Sequence, residues 1–405
     1  MSISQLARSV AESETLKLNE AARLLRERGE PVIHLGSGEP KSKAPIDAIR
    51  ACSAQLTTAD IRYTPTEGTP AMKKAIVRYM EDNYNKVFQP ENIVVSNGAK
   101  QSLMVALTTI INPQDEVIIP APYYVSYPEM VKLLMGIPVI VKPEDGRFQP
   151  RAEDILRAVS SYTKAIILNS PCNPSGAVYS EEFLAEIVEF CEKKGIYIIS
   201  DDIYHKLIFD NITYPDVYRF SRKDTEESKL IVINGVSKLY AMTGFRIGWT
   251  AASRKIIDVM VNVQSQTTSC ASALSQAGAV GALNGLQGTV ESLRLTLQNN
   301  RDVMVQELKA FDGIRIIPPQ GTFYSFPDFS AYNKDSVALS NFLLDKARVV
   351  AVPGKPFGME GHLRLSFCGS IKEITEGIER IKWALDPNSP NEIFIGDRKL
   401  VRDWL

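Results

Sequence analysis

Lys164-Ala165-Ile166-Ile167-Leu168, the amphipathic stretch Ser180 to Lys194, and Ile196-Tyr197-Ile198-Ile199 read in succession as strand, helix and strand. The two short runs are apolar and largely β-branched, with no polar alternation, which is the pattern of strands covered on both faces. Working outward, similar runs recur at Ile93-Val94-Val95, Glu116-Val117-Ile118-Ile119, Pro138-Val139-Ile140-Val141 and Leu230 to Ile233, and a further amphipathic stretch runs from Lys100 to Ile111. A β-α-β-α order predicts an α/β chain whose sheet is mostly parallel and covered by helices.

The pattern fades after about Leu286. A long helical stretch through Lys309 leads to Ile314-Arg315-Ile316-Ile317, Thr322 to Phe326, a helix near Val337 to Ala347, and Leu363 to Phe367, which reads as a smaller α+β domain. The expected division is an N-terminal segment 1–45 packing on the small domain, a large domain 46–286, a small domain 287–385 and a tail 386–405. A helix is expected over Ser13 to Arg28, and Phe394, Ile395 and Trp404 suggest that the tail docks on the small domain or on a partner subunit.

Hydrophobic residues make up 44% of the 405 and charged residues 23%, ordinary usage for a globular protein. A formal net charge of −1 supplies no field to gather a polyanion, so neither nucleic acid nor an anionic membrane is expected as partner, and a small-molecule substrate is favoured. The five cysteines are scattered without a C-x-x-C pair, which argues against disulfides and a zinc site. They read as reduced, mostly buried thiols, and no metal is expected. Charges interrupt Met1 to Glu30, so a secretory signal is not expected and the cytoplasm is the expected location.

In parallel α/β sheets, ligands collect at the carboxyl ends of strands. Here those ends read Ser96-Asn97-Gly98-Ala99-Lys100, Ser200-Asp201-Asp202-Ile203-Tyr204 and Asn234-Gly235-Val236-Ser237-Lys238, with Arg246 eight positions later. The first opens a helix with small residues, an arrangement that offers free N–H groups and a positive dipole end to a phosphate. Gly235-Val236-Ser237-Lys238-Leu239-Tyr240-Ala241-Met242-Thr243-Gly244-Phe245-Arg246-Ile247-Gly248 resembles the cofactor-lysine signature of class I aminotransferases. Asn169-Ser170-Pro171-Cys172-Asn173-Pro174-Ser175-Gly176 is similar to that family's Asn-Pro-Thr-Gly loop, with Ser175 for Thr. Asp201 and Tyr204 match its Asp-x-x-Tyr, Pro122-Tyr123-Tyr124 its Pro-x-aromatic, and Arg364 in Arg364-Leu365-Ser366 its carboxylate-binding arginine. The resemblance spans about Ser13 to Ala384.

That resemblance implies a three-layer fold type I architecture, pyridoxal 5'-phosphate as cofactor and transamination as the reaction. Lys238 would form the cofactor Schiff base and then, once displaced by substrate, serve as base on the α-proton. Asp201 would keep the ring nitrogen protonated, with Asp202 a structural carboxylate beside it. Tyr204 and Asn173 would hydrogen-bond the ring oxygen, and Tyr124 would stack on the ring. Gly98, Ala99 and Lys100 at the helix start, Ser237 and Arg246 would grip the phosphate. Tyr63 corresponds to a position that reaches the phosphate of the neighbouring subunit, implying a homodimer with shared sites. Arg364 would clamp the substrate α-carboxylate, with Gly38, Asn173 and Tyr124 beside it. The likeness of Tyr123 to Met130 and Gly321 to Phe326 to bacterial aspartate aminotransferases points to aspartate and 2-oxoglutarate, for which Lys41 and Lys43 are candidate distal-carboxylate cations. Aromatic or alanine-type substrates, a β-eliminating lyase of the same fold, and a non-catalytic cofactor-binding module are the alternatives.

Overall fold

The computed structural model describes residues 3–10, 14–144, 146–396 and 398–404. The first strand, β1 (Ile33–His34), pairs in parallel with Val349–Val350, so the N-terminal segment meets the later part of the chain. The N-terminal helix runs from Glu14 to Glu27; Ser13 lies outside the described residues. Its Leu18 and Ala22 pack with Val32, Leu344 and Val350.

The central sheet has seven strands: β2 (Ile93–Ser96), β3 (Glu116–Pro120), β4 (Ile137–Val141), β5 (Thr163–Asn169), β6 (Tyr197–Asp201), β7 (Leu230–Gly235) and β8 (Gly248–Ala251). They lie in the order β2-β8-β7-β6-β5-β3-β4. All neighbours are parallel except β8, which runs antiparallel to both β2 and β7. Sequence reading missed β8, because its four residues contain Gly248 and Thr250 and merge into the lysine motif; glycine weakens a strand signal.

Side chains alternate across a strand, so the unbroken apolar runs feed two cores. Ile166, Leu168, Ile198 and Val232 face one cluster, which continues through Phe183, Leu184 and Ile187 of helix Glu181–Lys194. Ala165, Ile167, Ile199, Ile231 and Ile233 face the other, with Leu103, Ala106 and Ile110 of helix Ala99–Ile110. Each fully buried side chain of this size contributes about 1.5–3 kcal/mol, which fixes the register and with it the strand ends. Helix Glu181–Lys194 is bounded as its sequence suggests: the Ser180 side chain accepts from Phe183 N, and Gly195 closes the helix at φ +68°.

Register then aligns the chemistry. Asn169 is opposite Asp201, Asp201 opposite Ile233, and Gly235 opposite Gly248, which in turn faces Ser96. The carboxyl ends of β2, β5, β6 and β7 thus share one edge.

Helix Gly288–Leu308 crosses to the small domain, where its Asn300 Nδ2 donates to the carbonyls of Phe367 and Gly369. There β9 (Tyr324–Ser325), β10 (Val349–Val350), β11 (Val352–Pro353) and β12 (Leu363–Ser366) follow, with the antiparallel order β11-β12-β9. The run Ile314 to Ile317, expected as a strand, makes only an isolated bridge between Arg315 and Asp328. Pro318 and Pro319 follow it without N–H donors, so no ladder can extend. The tail forms a hairpin, β13 (Glu392–Ile395) and β14 (Arg398–Val401), and Trp404 sits edge-on to Phe342 and Trp383 at 5.3 and 5.4 Å. Cys172, Cys191 and Cys368 are buried and Cys52 and Cys270 half-buried, all as free thiols.

Candidate active site

Lys238 follows β7 by three residues, at the shared strand edge, and its Nζ donates to the Gly38 carbonyl at 2.6 Å. Burial, with help from the nearby Arg364 and Arg246 cations, lowers its ammonium pKa to about 8; Glu39 opposes the shift. The amine therefore sheds its proton far more readily than a surface lysine, which suits a nucleophile.

Asp201 ends β6 and is 5% exposed. Burial pushes its pKa up to about 6, against the Tyr127 hydroxyl, the Ile203 N–H and the Lys238 charge, which all favour the ionised form. Tyr127 donates to Asp201 Oδ2 at 2.7 Å. Asp202 points elsewhere: Tyr84 and Ser200 donate to it at 3.0 and 2.5 Å in a fully buried network beneath the site. Asn169, at the end of β5, donates through Nδ2 to the Asp201 carbonyl and accepts from Asn173 N, so one side chain fixes both the Asp201 corner and the Asn173 loop.

Arg364 comes from β12 and is 4% exposed. Its two terminal nitrogens donate to Asn173 Oδ1 at 3.0 Å and to the Gly36 carbonyl at 3.1 Å, while Nε has no partner. The guanidinium lies 4.3 Å over the Tyr324 ring and 5.1 Å from that of Phe357. No carboxylate of the described residues pairs with it. A buried, uncompensated cation with donor capacity to spare is a receptor for an anion. The Gly36 carbonyl accepts from this arginine, and the Gly38 carbonyl, expected near the substrate carboxylate, accepts from Lys238 close by. Tyr204 is buried with its hydroxyl 3.5 Å from that of Tyr324, the ring that lies under the Arg364 guanidinium.

The third cation, Arg246, sits beside the start of helix Ala99–Ile110. Its guanidinium donates to the carbonyls of Thr243 at 3.0 Å and Asn97 at 3.5 Å, with no carboxylate partner among the described residues. Gly98 adopts φ +92°, and a Cβ there would lie 2.5 Å from the Arg246 guanidinium. Across from it, a Cβ on Gly248 would run into the Ala99 amide and stand 2.6 Å from the Gly98 carbonyl carbon. The two glycines leave a cradle at a helix N-terminus lined by backbone N–H groups and one guanidinium, the chemistry of a phosphate site. Ser237 is buried at the head of the lysine loop. Lys100 turns its side chain away, with Nζ 5.4 Å over the Tyr124 ring.

The strand-edge geometry thus brings together Lys238, Asp201, Tyr204, Asn173 and Arg364, with Arg246, Gly98 and Ala99 forming the adjoining cradle and Tyr124 contacting Tyr127 edge-on at 5.5 Å. Tyr63 is not among them: it is 93% exposed on this chain. Lys41 is spoken for, since its Nζ donates to both Glu373 oxygens at 2.7 and 2.8 Å, and Lys43 is exposed. Sequence reading missed Tyr127, Tyr324, Asn169 and the Gly36 carbonyl. Asn169 ends a strand and Tyr127 follows Tyr124 by one helical turn, and both signals were readable. Nothing in the sequence marked Gly36, whose contribution is a backbone atom.

These residues suit pyridoxal phosphate: a low-pKa amine for its aldehyde, a buried carboxylate for its ring nitrogen, a cradle for its phosphate. Comparison with known proteins agrees. Residues 30–381 match the family model described as aminotransferase class I and II. The chain is 40% identical over 381 residues to a probable aspartate/prephenate aminotransferase of Aquifex aeolicus, covering 92% of this chain and 96% of that one. It is 36% identical over 395 residues to an aspartate aminotransferase of Bacillus subtilis, covering 96% and 100%. The crystal structure of the aspartate aminotransferase from Rhizobium meliloti superposes with a TM-score of 0.91 at 34% identity, over 95% of this chain and 99% of that one.

Proposed function

Because the chain belongs to the class I and II aminotransferases and is a pyridoxal-phosphate-dependent transaminase, we propose that it moves the amino group of aspartate to 2-oxoglutarate, with Lys238 as the cofactor lysine. The observation that carries the reading is the meeting of the low-pKa Lys238 amine, the buried Asp201 carboxylate and an Arg364 guanidinium that no described carboxylate neutralises.

Bound pyridoxal phosphate supplies an aldehyde and an electron-withdrawing ring. Lys238 would hold it, and its Nζ would take the proton from the substrate α-carbon. Asp201, ionised, would keep a proton on the ring nitrogen, Tyr204 and Asn173 would orient the ring oxygen, and Tyr124 would cover the ring. Gly98, Ala99, the Lys100 amide, Ser237 and Arg246 would take the phosphate. Arg364 takes the α-carboxylate by its fork, which holds the α-carbon still beside Lys238.

Relatives matched by sequence and by structure are named for aspartate, which supports that substrate. We also propose a homodimer in which Tyr63, preceded in sequence by exposed Leu56 and Ile61, reaches the partner's phosphate; exposed apolar surface of this kind marks an interface. The working units are taken as 46–286 for the cofactor, 287–385 as small domain, 1–45 packing against the latter and 386–405 as its docked tail, in the cytoplasm. No described helix is long and apolar enough to cross a membrane.

Holoenzyme incubated with 2-oxoglutarate and a panel of amino acids should form glutamate fastest from aspartate. Release of ammonia and a keto acid without any acceptor would favour the β-eliminating lyase, and preference for an aromatic or alanine donor would overturn the substrate.

A further inference from the structure

We propose that Tyr127 is a positioning residue that holds the Asp201 carboxylate charged and aimed at the cofactor's ring nitrogen. The inference rests on reading Asp201 as the ring-nitrogen partner. Tyr127 stands on the first turn of helix Ser126–Leu133, and its hydroxyl donates to Asp201 Oδ2 at 2.7 Å. The opposite oxygen, Oδ1, receives only the Ile203 N–H at 3.4 Å, so the phenol is the strong donor on this carboxylate. Both side chains are sealed from water, at 1% and 5% exposure.

A carboxylate taken out of water reverts to the neutral acid unless something replaces the lost hydration. The groups facing Asp201 are the Tyr127 and Tyr204 phenols, the Cys172 thiol and the Lys238 ammonium. Among these the Lys238 amine would be committed to the cofactor, and the Cys172 thiol donates to the Pro122 carbonyl at 3.2 Å rather than to Asp201. Burial and Asp201 together push the Tyr127 phenol well above its ordinary range, so it keeps its proton and remains a donor. It supplies that donor without adding a charge that would compete with the ring nitrogen. The ring is itself held: Tyr127 N donates to the Tyr124 carbonyl at 3.0 Å and the two rings meet edge-on, so a single turn of chain aims both the proposed stacking ring and the nitrogen contact.

The test compares Tyr127→Phe and Asp201→Asn with wild type as full-length protein, reading the dissociation constant for pyridoxal phosphate across pH, kcat, KM and thermal unfolding. Y127F keeps the ring and its packing and deletes one hydrogen bond to a charged group. Its kcat should fall about 10- to 100-fold with KM little changed. Its cofactor affinity should weaken more steeply towards acid than in wild type, because Asp201 without its donor takes up a proton at higher pH. D201N should show the stronger, pH-independent form of the same loss. Wild-type affinity and pH profile in Y127F beside a crippled D201N would overturn the role of Tyr127 and leave the reading of Asp201 standing. A lowered unfolding temperature in Y127F with unchanged affinity and kcat would reduce it to packing. A D201N protein that binds cofactor and turns over like wild type would overturn both.

Discussion

Replacing Arg364 by lysine keeps the charge and removes the fork. In the structure the two terminal nitrogens are already spaced by Asn173 Oδ1 and the Gly36 carbonyl, and the plane is set by the Tyr324 face at 4.3 Å. A lysine ammonium can make one strong contact to a carboxylate where the guanidinium makes two, and it cannot use that ring to hold its orientation. Losing one charge-assisted hydrogen bond costs about 1.5–3 kcal/mol. At about 1.36 kcal/mol per decade, kcat/KM for aspartate should drop roughly 10- to 150-fold. Part of that contact is made equally in the bound substrate and the transition state, so KM should rise more than kcat falls. Steady-state assays with aspartate and 2-oxoglutarate read the split, and an amine lacking the α-carboxylate serves as control, since its slow turnover should not change. A second readout is ligand protection: an unreactive dicarboxylate at a hundred times its dissociation constant should stabilise wild type by about 2.7 kcal/mol and do far less for R364K at the same concentration. A loss below about threefold, or an equal loss with the control amine, would remove Arg364 from the substrate site.

Gly248→Ala places a methyl against the Ala99 amide and should spread the helix start from Arg246; the cofactor dissociation constant, by fluorescence titration of the cofactor-free protein, should rise at least about tenfold while secondary structure persists. Lys238 in cofactor-free protein should titrate near pH 8, so the rate at which it captures pyridoxal phosphate should climb from pH 7 and level above about 9. The folded chain has lost this proton above about pH 8 whereas the unfolded chain keeps it to about 10.4. Between those values the unfolded state binds more protons, so cofactor-free wild type should gain stability relative to Lys238→Met as pH rises, and denaturant unfolding at pH 8 and 10 would expose a flat or opposite trend.

The large sheet was legible because its strands are buried on both faces: Ile166-Ile167-Leu168 and Ile231 to Ile233 carry no polar residue to blur the run. The fold beyond it was less so. The strand Gly248–Ala251 is set by pairing with β2 and β7, and a four-residue run opening on glycine gives no local sign of that. Ile314 to Ile317 reads as a strand locally but lacks an available partner edge before two prolines. In the site, side chains carried by motifs at strand ends were found by position. Contacts made by backbone carbonyls, such as Gly36 to Arg364 and Gly38 to Lys238, depend on how the N-terminal segment lies across the cleft, which no residue type encodes. Lys41 illustrates the converse: its charge suggested a substrate contact, yet it closes on Glu373, whose carboxylate also caps helix Ile371–Leu385 through Ser370 N.

The proposed chemistry requires Lys238 to carry the cofactor. Borohydride reduction of the holoenzyme, followed by proteolysis and mass spectrometry, should find one pyridoxyl-phosphate group per chain, on the peptide containing Lys238, and none in a Lys238→Ala protein. Stoichiometric label on any other lysine, or undiminished label in the alanine variant, would contradict the account.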